Sequence, residues 1–302
     1  MRVRVLALLS GLALWVIAAV PASATSEGHS YLALGDSVSF GTNPLLDIHN
    51  ASNFTGFPEI VAQRLNIEDV NAACPGEATG GFISLTGTDN VCRPYRFGGF
   101  FPNCCPLHVS YAGTQLAFAT SYLTTHPRTR LVTLMLGAND IFHLQNVCGA
   151  THPNDPIGAA QCVNAGIPAV FAAMSSNLNT IFGALRATGY TGLIVAVTYY
   201  SLDYTNAAAE AGAIGLNAPM IAAAQAHGAV IADGLAAFRA VAAGETSCAA
   251  GLLIPLPASM GGGCDVHPTP KGRDLLAGAV IDAISGTCPA HDPIGCLNRN
   301  QD

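Results

Sequence analysis

Five apolar runs limit what this chain can fold into: Tyr31–Leu34, Asp69–Ala73, Leu131–Leu136, Leu193–Tyr199 and Ala229–Ala232. Most are continuous rather than alternating, the pattern of strands buried on both faces. Segments of helical spacing fall between them. The clearest is Ile167–Ala187, with Ile167, Val170, Phe171, Met174, Leu178, Ile181 and Leu185 at helical intervals. Pro58–Leu65, Thr114–Thr125, the alanine-rich Ala207–Ala226 and Leu235–Ala243 are further helix candidates. Thr269 can cap a last helix that has Pro270 in its first turn and Leu276, Val280 and Ile284 on one face. Strands alternating with helices predict an α/β fold: a parallel sheet, right-handed crossovers and helices on both faces. Reactive groups in such a fold belong at the C-terminal ends of the strands.

Four short motifs fall at or near such ends. Gly35-Asp36-Ser37 closes the first run, where flanking glycines let a reacting carbonyl approach the serine. Gly76, within Asn71–Thr79, can present a bare backbone N–H. Gly137-Ala138-Asn139-Asp140 offers an amide donor in Asn139. Asp265-Val266-His267-Pro268 places an imidazole just ahead of the last helix, where it can take a serine proton and return it to a leaving group. Taken singly these are a turn, a turn, a cap and one histidine among nine. Their order along the chain is what points to nucleophilic catalysis. Asp36 and Asp140 are expected to tie loops by accepting backbone N–H groups. His152 and Asp155 sit in His152-Pro153-Asn154-Asp155-Pro156, which reads as a proline-rich loop rather than a metal site.

The first residues read as a targeting segment. Met1-Arg2-Val3-Arg4 is basic, Val5 to Val20 is apolar and Ala22-Ser23-Ala24 fits an A-x-A cleavage site. The apolar run is short beside the roughly 20 residues of a membrane span. Residues 1–24 are thus expected to be a signal peptide and residues 25–302 a single domain, secreted and monomeric, with no membrane span after cleavage. Across the 302 residues the formal charge is −7 and Lys271 is the only lysine, so no basic patch suggests a nucleic acid partner.

Ten cysteines in an exported chain argue for disulfides. Cys148 with Cys162, Cys248 with Cys264, and Cys288 with Cys296 are close in sequence. A bridge between the adjacent Cys104 and Cys105 would be strained. One of them is therefore expected to meet Cys74 and the other Cys92. No C-x-x-C pair supports zinc. Leu85–Ser110 is the longest stretch without evident structure; it is read either as a groove wall, through Phe100 and Phe101, or as a stapled surface loop.

Together the four motifs resemble the SGNH hydrolase, or GDSL-type lipase/esterase, family in its secreted bacterial form, from Gly35 to Pro268. The resemblance implies a flavodoxin-like three-layer α/β/α sandwich, here on a five-stranded parallel sheet. It implies Ser37 as nucleophile and His267 as general base. The oxyanion donors would be the N–H of Ser37, the N–H of Gly76 and the side chain of Asn139. An acyl ester or lipid would be the substrate, with no cofactor or metal. In that family the acid stands three residues before the histidine, a position held here by Cys264, with Asp265 one residue nearer. Asp265 can complete a triad, or a backbone carbonyl can take the Nδ1 proton and leave a Ser–His dyad; the reading leans to the carbonyl. An acyltransferase using the same serine, and a non-catalytic binding protein on the same fold, are the alternatives. An α/β-hydrolase would want G-x-S-x-G, which Gly35-Asp36-Ser37-Val38-Ser39 does not match.

Overall fold

The computed structural model describes residues 29–97 and 105–287. Residues 1–24, expected to be a signal peptide, and Phe100, Phe101, Cys104, Cys288 and Cys296 lie outside the described residues. In chain order, β1 (Ser30–Gly35) leads to α1 (Ser37–Phe40) and α2 (Phe57–Leu65), and β2 (Glu68–Asn71) leads to α3 (Thr79–Ile83), α4 (Cys92–Phe97) and α5 (Gln115–Thr125). β3 (Thr129–Met135) leads to α6 (Ala138–Thr151) and α7 (Pro156–Ala187), β4 (Leu193–Val197) to α8 (Ala207–Ala226), and β5 (Val230–Ala232) to α9 (Gly234–Ala242). A pair of short strands, β6 (Leu253–Pro255) and β7 (Cys264–Pro268), precedes α10 (Pro270–Thr287).

The main sheet has five strands in the order β2-β1-β3-β4-β5, each parallel to its neighbours. Both faces are covered, and β1 shows why its run is continuous. Tyr31 and Ala33 join a core with Phe57, Val61, Phe238, Leu276 and Val280 from α2, α9 and α10. Leu32 and Leu34 point the other way, into a core with Phe82, Leu123, Leu178 and Phe182 from α3, α5 and α7. Each large side chain fully buried in this way contributes about 1.5–3 kcal/mol. The α/β/α sandwich is thus the one its sequence pattern predicts.

The chain passes from β1 out to the edge strand β2 and returns to β3 on the other side of β1. Strand order reverses there, so a crevice opens beyond the C-terminal ends of β1 and β3. Ser37 follows β1 and Asn139 follows β3, which puts both at that crevice.

Several local expectations change. α7 starts at Pro156 rather than Ile167, because Asp155 caps it by accepting from Gly158 N–H at 2.9 Å and Pro156 suits the first turn. By length and composition α7 could cross a membrane; its C-terminal half buries Met174, Leu178, Ile181, Phe182 and Leu185 in the core. The stretch Leu85–Ser110 is not all loop, since α4 lies within it. Cys148–Cys162 and Cys248–Cys264 are bridged as their spacing suggests. Cys74, however, is bridged to Cys92, so neither meets Cys104 or Cys105. The two cysteines lie at the ends of a loop that folds back on itself: Asn90 and Val91 N–H donate to Gly76 O at 3.1 and 3.4 Å, which brings their flanks together. Cys105 is also disulfide-bonded.

Candidate active site

β1 ends at Gly35 with φ 137°, a conformation that favours glycine, and a Cβ there would strike Met135 O. The buried Gln115 clamps this residue: Gly35 N–H donates to Gln115 Oε1 at 2.6 Å and Gln115 Nε2 donates to Gly35 O at 3.0 Å. Asp36 then caps α1, accepting from Val38 N–H at 3.0 Å. Ser37 is the first residue of that helix, and its hydroxyl has no hydrogen-bond partner among the described residues.

Asp36 does more than cap. Its Oδ2 accepts from Asn139 Nδ2 at 3.2 Å and from the Tyr199 hydroxyl at 2.5 Å. Burial pushes its carboxyl up, against the opposing pull of Tyr199, Val38, His267 and Asn139, to about 6. It is therefore mostly ionised at neutral pH. Tyr199 is held in turn by Asn217, whose amide exchanges two 2.8 Å hydrogen bonds with the Tyr199 backbone. Asp140 accepts from Thr79 N–H at 2.9 Å and Thr79 Oγ1 at 2.7 Å, tying the loop after β2 to α6.

His267 lies on β7, and the structure places the Asp265 carboxylate against its ring, where the sequence reading leans to a backbone carbonyl. Asp265 Oδ1 meets His267 Nδ1 and also accepts the His267 backbone N–H, the latter at 2.9 Å. The reason is the extended backbone: residues two apart on a strand share a face. Asp265 reaches the ring without the third residue that a looser segment would need. Burial works to raise the Asp265 carboxyl, but its hydrogen bonds to His267 and the charge of that ring hold it below the usual carboxylate range. The strand is pinned just before this pair by the Cys248–Cys264 bridge, and between its two members by the Tyr200 hydroxyl donating to Val266 O at 2.6 Å.

Ser37, Asn139 and His267 line one cavity of about 500 Å³, with Ile141, Phe142, Ile167, Phe171 and Leu216 supplying much of its apolar wall from α6, α7 and α8. Gly76 does not line this cavity. It stands on the neighbouring loop with φ 80°, and a Cβ there would strike Val91. None of the described residues of Leu85–Ser110 lines the cavity either.

Beneath the Gly76 loop, Glu77 is 1% exposed. Burial, helped by the charge of Asp89, raises its carboxyl to about 8. Around it, Gln115 Nε2 donates to Glu77 Oε2 at 3.3 Å and the bridged Cys92 Sγ lies 3.3 Å from the same oxygen. Cys74, Glu77 and Cys92 bring their donor atoms close together, but bridged cysteines offer no thiolate to a metal. Between its ordinary value near 4.5 and about 8, the folded chain holds a proton that the unfolded chain has released. Stability must then fall as pH rises through that window, by up to about 1.4 kcal/mol per pH unit. Glu77→Gln should remove this slope and gain on the wild type from pH 5 to 8. Urea unfolding at pH 5, 6, 7 and 8 checks it; parallel curves for the two proteins would refute the assignment.

Sequence reasoning missed Gln115, Tyr199, Asn217 and Glu77. A lone asparagine inside the alanine-rich Ala207–Ala226 was the one local sign of a buried clamp.

A parallel α/β/α sandwich that gathers these groups at its strand ends is the frame of a hydrolase acting on esters. The chain belongs to the GDSL-like lipase/acylhydrolase family, whose model matches residues 33–275. Its fold is similar to phospholipase A1 from Streptomyces albidoflavus NA297, with TM-score 0.55 and 18% identity over 85% of this chain and 99% of that one. It is also similar to an extracellular lipase from Streptomyces rimosus, with TM-score 0.53 and 19% identity over 85% and 100%. LAE5, an α/β hydrolase enzyme from the metagenome of Lake Arreo, Spain, matches with TM-score 0.52 and 15% identity over 90% and 97%. No curated protein sequence matches this chain.

Proposed function

We propose that the protein is a secreted serine esterase or lipase that hydrolyses esters of apolar acyl groups. One observation carries the reading: Ser37, Asn139 and an Asp265-backed His267 converge on a single apolar cavity. Ser37 Oγ attacks the ester carbonyl while His267 Nε2 takes its proton. The oxyanion is received by the N–H of Ser37 and by Asn139 Nδ2, which line the cavity; the N–H of Gly76, on the neighbouring loop, is the third donor that the family resemblance implies. Collapse expels the alcohol, protonated by His267, and leaves an acyl-Ser37. His267 then deprotonates a water that attacks the acyl carbon, and the acid departs as the serine is restored. Asp265 keeps the Nδ1 proton in place and stabilises the imidazolium. The signal-like segment 1–24 and the disulfides support export to an oxidising compartment.

The acyl group belongs in the cavity between α6, α7 and α8, whose volume of about 500 Å³ is well beyond what an acetyl group needs. On p-nitrophenyl esters, kcat/KM should rise from acetate toward octanoate, each newly buried methylene adding about 0.8 kcal/mol. A Cβ on Gly215 would rest 3.7 Å from the Phe171 ring, on the cavity wall. Gly215→Leu should therefore cut the rate on octanoate about tenfold while leaving acetate within about threefold. A fluorophosphonate that labels Ser37 in the folded protein supports the serine mechanism. Resistance to labelling, with no ester turned over, would favour a binding protein instead.

A further inference from the structure

We infer that Asn90, on the disulfide-closed loop, is a positioning residue that holds the Asn139 amide in its oxyanion-donating orientation. The inference rests on the reading of Asn139 as an oxyanion donor and adds a residue to it.

Three amides form a chain running from the surface into the site. Asn146 Nδ2 donates to Asn90 Oδ1 at 3.0 Å, Asn90 Nδ2 donates to Asn139 Oδ1 at 3.0 Å, and Asn139 Nδ2 donates to Asp36 Oδ2 at 3.2 Å. Asp36 sets its direction. An ionised carboxylate only accepts, so Asn139 must turn its NH₂ toward it. The Asn139 oxygen then faces Asn90, which must offer its own NH₂, and the Asn90 oxygen is left for Asn146. Each amide is flipped one way by the next. An NH₂ carries two hydrogens; Asp36 takes one from Asn139, and the other has no acceptor among the described residues. Asn139 lines the cavity beside Ser37, where that second hydrogen can serve a developing oxyanion.

The terminal torsion of an asparagine is broad and roughly two-fold. Without a donor on its oxygen, Asn139 loses half of what selects one orientation over its reverse, and the reverse presents oxygen to oxygen. Asn90 supplies that donor. Its main chain meanwhile grips the other proposed donor loop, since Asn90 N–H donates to Gly76 O at 3.1 Å. The Cys74–Cys92 bridge closes the loop on either side of these contacts. One residue thus couples the Gly76 turn to the start of α6. This gives the stapled loop work at the site without touching substrate.

The test compares Asn90→Asp, Asn90→Ala and Asn139→Ala on a single p-nitrophenyl ester, with thermal melts to confirm folding. Asn139→Ala should lose about 10²–10³ in kcat. Asn90→Asp keeps the size and main chain but cannot donate when ionised, so it serves even if Asn90→Ala folds poorly. Both Asn90 variants should lose about tenfold to a hundredfold in kcat, short of full donor removal, with KM within about threefold. A trifluoromethyl ketone, which forms the tetrahedral adduct, should weaken by the same factor as kcat/KM, whereas the product acid should bind as before. If Asn139→Ala is crippled but folded Asn90 variants keep wild-type kcat, or lose only in KM, the inference fails and the reading of Asn139 stands. If Asn139→Ala itself keeps full kcat, both fall together.

Discussion

Asp265→Asn should lower kcat by about 10⁴ while leaving the fold intact. The single oxygen Asp265 Oδ1 meets both the His267 ring at Nδ1 and the His267 backbone N–H. An amide oxygen can accept the same two hydrogen bonds, so the strand need not move. What is lost is charge. The imidazolium formed when Ser37 gives up its proton would face a neutral amide in place of a carboxylate. The amide can also turn its NH₂ toward Nδ1 and trap the wrong tautomer. Steady-state kinetics on a p-nitrophenyl ester, beside a thermal melt, decide the matter. Turnover within about threefold of wild type would mean that Asp265 is only a turn residue and that the site is a Ser–His dyad.

Ser37→Ala should be more severe, on the order of 10⁶ in kcat, since no acyl-enzyme can form. Its structural effect should be slight, because the Ser37 hydroxyl makes no hydrogen bond among the described residues. Asp36 would still cap α1 through Val38 N–H. Melting within about 2 °C of wild type is therefore expected. The double variant Ser37→Ala/Asp265→Asn should be no worse than Ser37→Ala alone, because Asp265 acts through the serine's proton and has nothing to support once the serine is gone. Additive losses, or an alanine variant that still releases p-nitrophenol at a tenth of the normal rate, would remove Ser37 from the role of nucleophile.

Much of the frame was legible in the chain because it depends on local pattern. Tyr31–Leu34 is apolar at every position, and a strand with Tyr31 and Ala33 in one core and Leu32 and Leu34 in another has to be. The positions of Ser37 and Asn139 followed from the strands before them. The Asp265–His267 geometry was not legible, because it turns on whether residues 264–268 are extended. That depends on pairing with β6, only three residues long and with no signature of its own. Gln115 and Asn217 were illegible for another reason. Gln115 lies 80 residues from the glycine it clamps, and only the closed fold brings them together. Asn90 escaped notice in the same way, since nothing in its neighbourhood of the chain mentions Asn139, 49 residues on.

The three described cross-links between named cysteines all lie outside the main sheet. Cys74–Cys92 closes the loop over Gly76, Cys148–Cys162 joins the two helices that begin the cavity wall, and Cys248–Cys264 fastens the strand that carries His267. None joins two strands of the main sheet. The sheet and its two cores form by packing, which proceeds in any compartment, while the fastenings around the reactive groups need an oxidant. Under reducing conditions the sheet and its two cores are therefore expected to persist while these three fastenings are lost.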